Sequence, residues 1–169
     1  MATVVASPRT AVWRALTDPA EIARWRPGVE AALGALDPLP AVGRQLRFRC
    51  RLQGMPVTFE ETALEVGPDE RLRCDVRFGL FRCEETFTLA AADPDGGHTR
   101  VSLRISAPSE THLIGASLDR FAVRRFATEL AGTCLRALRD WCELGHPPEL
   151  PLPAPDGRRA VVGSLRDPG

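Results

Sequence analysis

From Leu46 to Gln53 apolar and polar residues alternate without a break: Leu46, Phe48, Cys50 and Leu52 on one side, Arg47, Arg49, Arg51 and Gln53 on the other. A period of two puts each set on its own face of an extended chain, so this segment is predicted to be a half-buried antiparallel strand. Gly54-Met55-Pro56 reads as the turn into Val57 to Val66, and Gly67-Pro68-Asp69 as the next turn. Leu72, Cys74, Val76 and Phe78 then alternate with Arg71, Arg73, Asp75 and Arg77 until Gly79 breaks the strand. Phe81, Cys83, Phe87 and Leu89 continue the apolar set, Asp93 to Gly97 forms a hairpin loop, and Val101, Leu103, Ile105 and Ala107 complete the last strand.

Before this block stand a short β-prone run, Ala2 to Ala6, and two short helical patterns. Ser7-Pro8 is expected to cap the first helix, which runs through Leu16, with Ser7 as N-cap and Pro8 at the first helical position. Asp18-Pro19-Ala20-Glu21 repeats the device, with Glu21 placed to reach back to the cap, and the second helix is expected to end near Gly28. Val12, Trp13, Leu16, Ile22 and Trp25 make the apolar face. After Pro108 the helical period returns, and Leu118, Phe121, Ala122, Phe126, Leu130, Cys134, Leu138 and Trp141 share one stripe. The expected architecture is α+β: a curved antiparallel sheet of six to seven strands, two short helices after the first strand, and one long helix from about Thr111 to Leu144 gripped by the sheet, with Leu46, Phe48, Leu103 and Ile105 facing it. One domain over residues 1–145 is expected, followed by a Pro- and Gly-rich tail, 146–169, in which Ala160 to Val162 are able to dock as a short strand.

Composition narrows the function classes. Acidic and basic residues balance at 22 each, so no global field favours nucleic acid or an anionic membrane surface. All the basic side chains apart from histidine are arginine, and neither lysine nor tyrosine occurs, which excludes a Schiff-base lysine and a catalytic tyrosine. The N-terminus lacks a signal-peptide pattern and no apolar stretch is long enough to span a bilayer, so a cytoplasmic location is expected. Five cysteines without CxxC spacing suggest reduced thiols rather than a disulfide framework or a zinc ribbon.

The segments "ASPRTAVWRALTDPAEIARWRPGV", "GRQLRFRCRL" and "ETALEVGPDERLRCDV", with the terminal amphipathic helix, resemble the START-like, helix-grip superfamily, specifically the SRPBCC group that includes polyketide cyclase/dehydrase-like proteins. The resemblance covers about Ala2 to Leu144. It implies a hollow between sheet and helix whose lining differs from member to member, and three scattered histidines do not supply the iron site of the oxygenase branch.

Period-two alternation carries Glu85 inward with Phe81, Cys83, Phe87 and Leu89, where a carboxyl group would hydrogen-bond a ligand or act as a general acid; a bulge turning it outward or a structural pair with an arginine are the alternatives. Glu61 is a weaker copy, because Val57, Phe59 and Ala63 share its parity while Leu64 and Val66 do not. Cys50, Cys74 and Cys83 all have inward parity, and buried cysteines are usually small hydrophobes rather than metal ligands. Of the histidines, His112 is placed to point across the cavity mouth, whereas His98 and His146 look solvent-facing. Trp13 and Trp25 are expected as core or rim packing, with ligand contact the alternative for Trp25, since the second short helix borders the cavity entrance in the implied fold. The leading expectation is a carrier or sensor that binds a small hydrophobic or aromatic molecule with Trp25, Phe48, Cys50, Phe59, Glu61, Phe78, Phe81, Cys83, Glu85, Phe87, Phe121 and Phe126, without cofactor or metal. The alternatives are a cyclase/dehydrase-type enzyme using Glu85 and His112, and a co-chaperone-like interaction module using the exposed sheet face.

Overall fold

The computed structural model describes residues 1–34, 41–52, 54–79, 81–106 and 120–144. The expected start of the long helix at Thr111, residue His112, and the expected tail from 146 lie outside the described residues.

Among the described residues seven strands form one antiparallel sheet: β1 (Ala2–Val5), β2 (Val29–Leu33), β3 (Gln45–Leu52), β4 (Met55–Gly67), β5 (Arg71–Phe78), β6 (Phe81–Ala91) and β7 (Thr99–Ser106). Their order is β1-β7-β6-β5-β4-β3-β2, so the chain lays its first strand at one edge, crosses to the other, and returns by a meander. Two short helices, α1 (Arg9–Thr17) and α2 (Pro19–Trp25), fill the crossing, and α3 (Arg120–Leu144) closes the structure by packing on β1, β7, α1 and α2. This is the helix-grip arrangement. The strand β2 was not among those the apolar pattern marked, since its five residues lack clear alternation.

Local chemistry explains most boundaries. The Asp18 carboxylate accepts from the Ala20 N–H at 2.8 Å with Pro19 in the first turn, as expected of an acidic cap. Ser7, however, caps nothing. Pro8 is the N-cap residue of α1 without a side-chain bond, and the Ser7 hydroxyl donates instead to the Cys142 carbonyl at 2.9 Å, satisfying an orphan acceptor in the last turn of α3. Glu21 likewise does not close a capping box: it accepts from Arg14 Nε at 2.6 Å and Trp141 Nε1 at 3.1 Å, tying the three helices together. In both cases a tertiary partner outcompetes the local one.

The sheet alternation holds in β3, β5 and β6, and the ambiguity in β4 resolves as a bulge. Ala63 pairs with Cys74 and Glu65 with Arg73, so Leu64 is the extra residue and Val66 is rephased opposite Leu72. One inner core results, with Phe48, Leu72, Val76, Phe87 and Leu103 from the strands, Val12, Leu16, Ile22 and Trp25 from the short helices, and Leu135 and Leu138 from α3. Each fully buried side chain of this size contributes about 1.5–3 kcal/mol. Leu46, Phe48 and Leu103 belong to this core, and Ile105 is half-buried against it. The arginines of the outer face are mostly exposed and are paired with Glu30, Glu60, Glu65 and Glu84 across strands, while Asp75 takes Arg77 of its own strand and Arg82 of β6.

Candidate functional site

The pre-proline position of Arg26 shapes the site. Clash with the Pro27 ring disfavours the helical region for the preceding residue, so α2 stops at Trp25 rather than near Gly28, and Arg26 takes an extended conformation (φ −75°, ψ 123°). Gly28 then adopts φ +79°, which lets the chain turn into β2 while its carbonyl accepts from Arg51 N–H at 3.0 Å. The Arg26 guanidinium is thereby carried inward, where its side chain is only 6% exposed.

Glu61 and Glu85 meet it there. Glu61 is opposite Val76 and Glu85 opposite Cys74, so the two acids flank β5 one two-residue step apart, both on the inner face. Arg26 Nη2 donates to Glu85 Oε2 at 2.5 Å and Nη1 lies 3.5 Å from Glu61 Oε2, with the two carboxyl side chains 2% and 1% exposed. The guanidinium also lies over the Phe59 ring, 4.4 Å from its centroid, and 6.0 Å from that of Trp25. Burial opposes the charge on Arg26, but Glu85 and Glu61 more than offset it and raise its pKa above the usual value. For Glu61 burial dominates: it pushes the carboxyl up, Arg26 pulls it down, Glu85 pushes it up again, and a hydrogen bond with Cys74 offsets only part.

Beside this cluster a cavity of about 110 Å³ opens between the α2–β2 connection, the sheet and α3. Arg26, Pro27, Gly28 and Val29 form one wall, Cys50, Arg51, Val57, Phe59, Phe78 and Glu85 the sheet side, and Leu130 and Cys134 the helix side. The lining is apolar except for the Arg26–Glu85 pair and Arg51, whose Nε donates to Glu30. Four thiols surround the pair, and burial raises all of them: Cys50 to about 11, Cys83 and Cys134 to about 12, and Cys74 further. They are neutral thiols near neutral pH, not poised nucleophiles. Among the described residues no group of His, Cys, Asp and Glu is arranged to hold a metal ion.

Of the expected site residues, Cys50, Phe59, Phe78 and Glu85 line the cavity. Glu61 stands behind Arg26 as its second counter-charge. Phe48 and Phe87 are packed in the core, with Phe48 5.8 Å from Phe59 between ring centroids, and Cys83 is half-buried at the core edge. Trp25 is also a core residue, its Nε1 donating to the Ala15 carbonyl at 2.7 Å. Phe81 opens β6 and Phe121 and Phe126 belong to α3, but their side chains lie outside the described residues, as does all of His112. The sequence reading missed Arg26 itself. Two inward acids demand a buried counter-charge, and an arginine immediately before Pro-Gly at a helix end was the available signal.

The chain matches the family model described as "Polyketide cyclase / dehydrase and lipid transport" over residues 1–143. Among solved structures it is similar to a START superfamily protein from Mycobacterium smegmatis, with a TM-score of 0.64 and 16% identity, covering 82% of this chain and 92% of that one. The Aha1 protein from Colwellia psychrerythraea gives 0.58 and 19%, with 86% and 95% covered. DynU16, a protein in the dynemicin biosynthetic locus, gives 0.55 and 22% over 87% of this chain, which spans about half (47%) of its length. A comparison with curated proteins finds no match. At these identities the structures speak for the fold, whereas the family match runs through every described strand and nearly all of α3: the chain belongs to the polyketide cyclase / dehydrase and lipid transport family and has its START-like helix-grip fold.

Proposed function

We propose that the protein binds a small hydrophobic or aromatic molecule in the cavity beside Arg26 and acts as a carrier or sensor. One observation carries this reading: the cavity walls are apolar, from Val57, Phe59, Phe78 and Leu130, and a buried ion pair marks one end. Apolar walls supply affinity and a few fixed polar groups supply orientation. A volume of about 110 Å³ suits a single ring, since a dry cavity of roughly 150 Å³ accepts benzene.

The cavity also supports acid–base chemistry of the cyclase/dehydrase kind, because Glu85 is on its wall. Carriage is the simpler reading, since binding needs no catalytic group. Calorimetry or ligand-observed NMR with toluene and indole tests it. Val57→Phe fills the cavity and is expected to abolish binding while leaving the fold intact by circular dichroism; retention of full affinity in that variant sinks the cavity assignment.

A further inference from the structure

We infer that the cavity selects uncharged ligands bearing a hydroxyl group, of phenol or enol type, and rejects carboxylates and ammonium ions. This rests on the proposed cavity binding and goes further by naming the polar end of the ligand. The charge of Arg26 is already matched by two protein carboxyl groups, at 2.5 Å to Glu85 and 3.5 Å to Glu61, which take one N–H from each Nη and leave further N–H donors of the guanidinium free to bond. An incoming carboxylate would be a third carboxyl group around one guanidinium, beside Glu85 on the same wall. An incoming ammonium would lose its hydration beside the Arg26 charge, which also lines the cavity. What the wall offers is a donor next to an acceptor. A hydroxyl group matches that pair, because it donates to the Glu85 carboxylate and accepts from an Arg26 N–H with no net charge entering an apolar space. Glu61, held behind Arg26 and away from the lining, adds the second carboxyl group that tilts the site against anions.

The test compares toluene, anisole, phenol, benzoate and benzylamine with the full-length protein at pH 7.5, well below the phenolic pKa of about 10. Phenol is expected to bind at least ~10-fold more tightly than anisole or toluene, and ~100-fold more tightly than benzoate or benzylamine, because a buried polar pair left unmatched penalises the wrong ligand. Glu61→Gln removes the remote carboxyl group and is expected to narrow the phenol-to-benzoate ratio by ~10-fold. Equal binding of anisole and phenol, or of either charged ligand and phenol, overturns the hydroxyl selectivity while leaving cavity binding standing. If none of the five compounds binds, toluene included, the cavity reading itself is overturned.

Discussion

Glu61 and Glu85 stand on opposite sides of β5, one two-residue step apart, and share the single guanidinium of Arg26. Neither acid is near the other in sequence, and Arg26 is 35 residues from the first and 59 from the second. The cluster therefore forms only once α2 has docked on the sheet.

Removing the shared cation should leave two buried acids without a counter-charge. Arg26→Met keeps most of the side-chain length and is expected to cost about 3–5 kcal/mol of unfolding free energy, the range for breaking a buried pair from one side. Urea denaturation measures it. A loss below ~1 kcal/mol would mean that the acids are hydrated or repaired by a neighbour.

Glu61 should make stability depend on pH in a definite direction. Its folded pKa is raised above the ordinary 4.5, so between the two values the folded state holds more protons than the unfolded state and stability falls as pH rises. This contribution is complete below about 4.5 and lost as pH climbs through the folded value. Thermal unfolding of the wild type and of Glu61→Gln should thus diverge with increasing pH from 4.5 upward, the variant gaining relative stability. A constant difference, or one of opposite sign, contradicts the assignment.

Glu85→Gln separates carriage from proton transfer. The amide keeps an acceptor oxygen for the Arg26 N–H and for a ligand hydroxyl, so affinity for phenol should stay within a few-fold of wild type. A proton-transfer enzyme would keep that binding and lose turnover by ~100-fold or more. Assay of both proteins with polyketide-like and aryl ketone substrates decides between them.

The thiols offer an independent check on the interior. Burial holds Cys50 near 11 and Cys83, Cys134 and Cys142 near 12, so the thiolate fraction near neutrality is minute. Native protein is expected to react with iodoacetamide at pH 7.5 at least ~100-fold more slowly than the unfolded chain. Peptide mass spectrometry assigns each site, and labelling of Cys50, Cys74 or Cys134 at the rate of a free thiol contradicts their place in the core.

Period two in β3, β5, β6 and β7 was enough to assign the inner and outer faces, and it placed Glu85 inward, because alternation in a strand is a property of consecutive backbone pleats. The long apolar stripe ending at Trp141 announced the closing helix in the same way. Where one residue breaks the pleat, as Leu64 does in β4, the parity of Glu61 was unreadable until the partner strand set the register. Ser7 and Glu21 look like helix caps in isolation and become tertiary anchors for α3, since the Cys142 carbonyl, Arg14 and Trp141 arrive from other turns of the chain. Arg26 is the clearest case: Pro27 next to it locally dictates an extended backbone, but only the packing of α2 against β2, α1 and α3 turns that bend into a guanidinium buried between the acids of β4 and β6 at the wall of a cavity. Local sequence specifies pleats, turns and stripes because these depend on neighbouring residues, whereas the buried charge cluster depends on long-range packing that no short window of the chain contains.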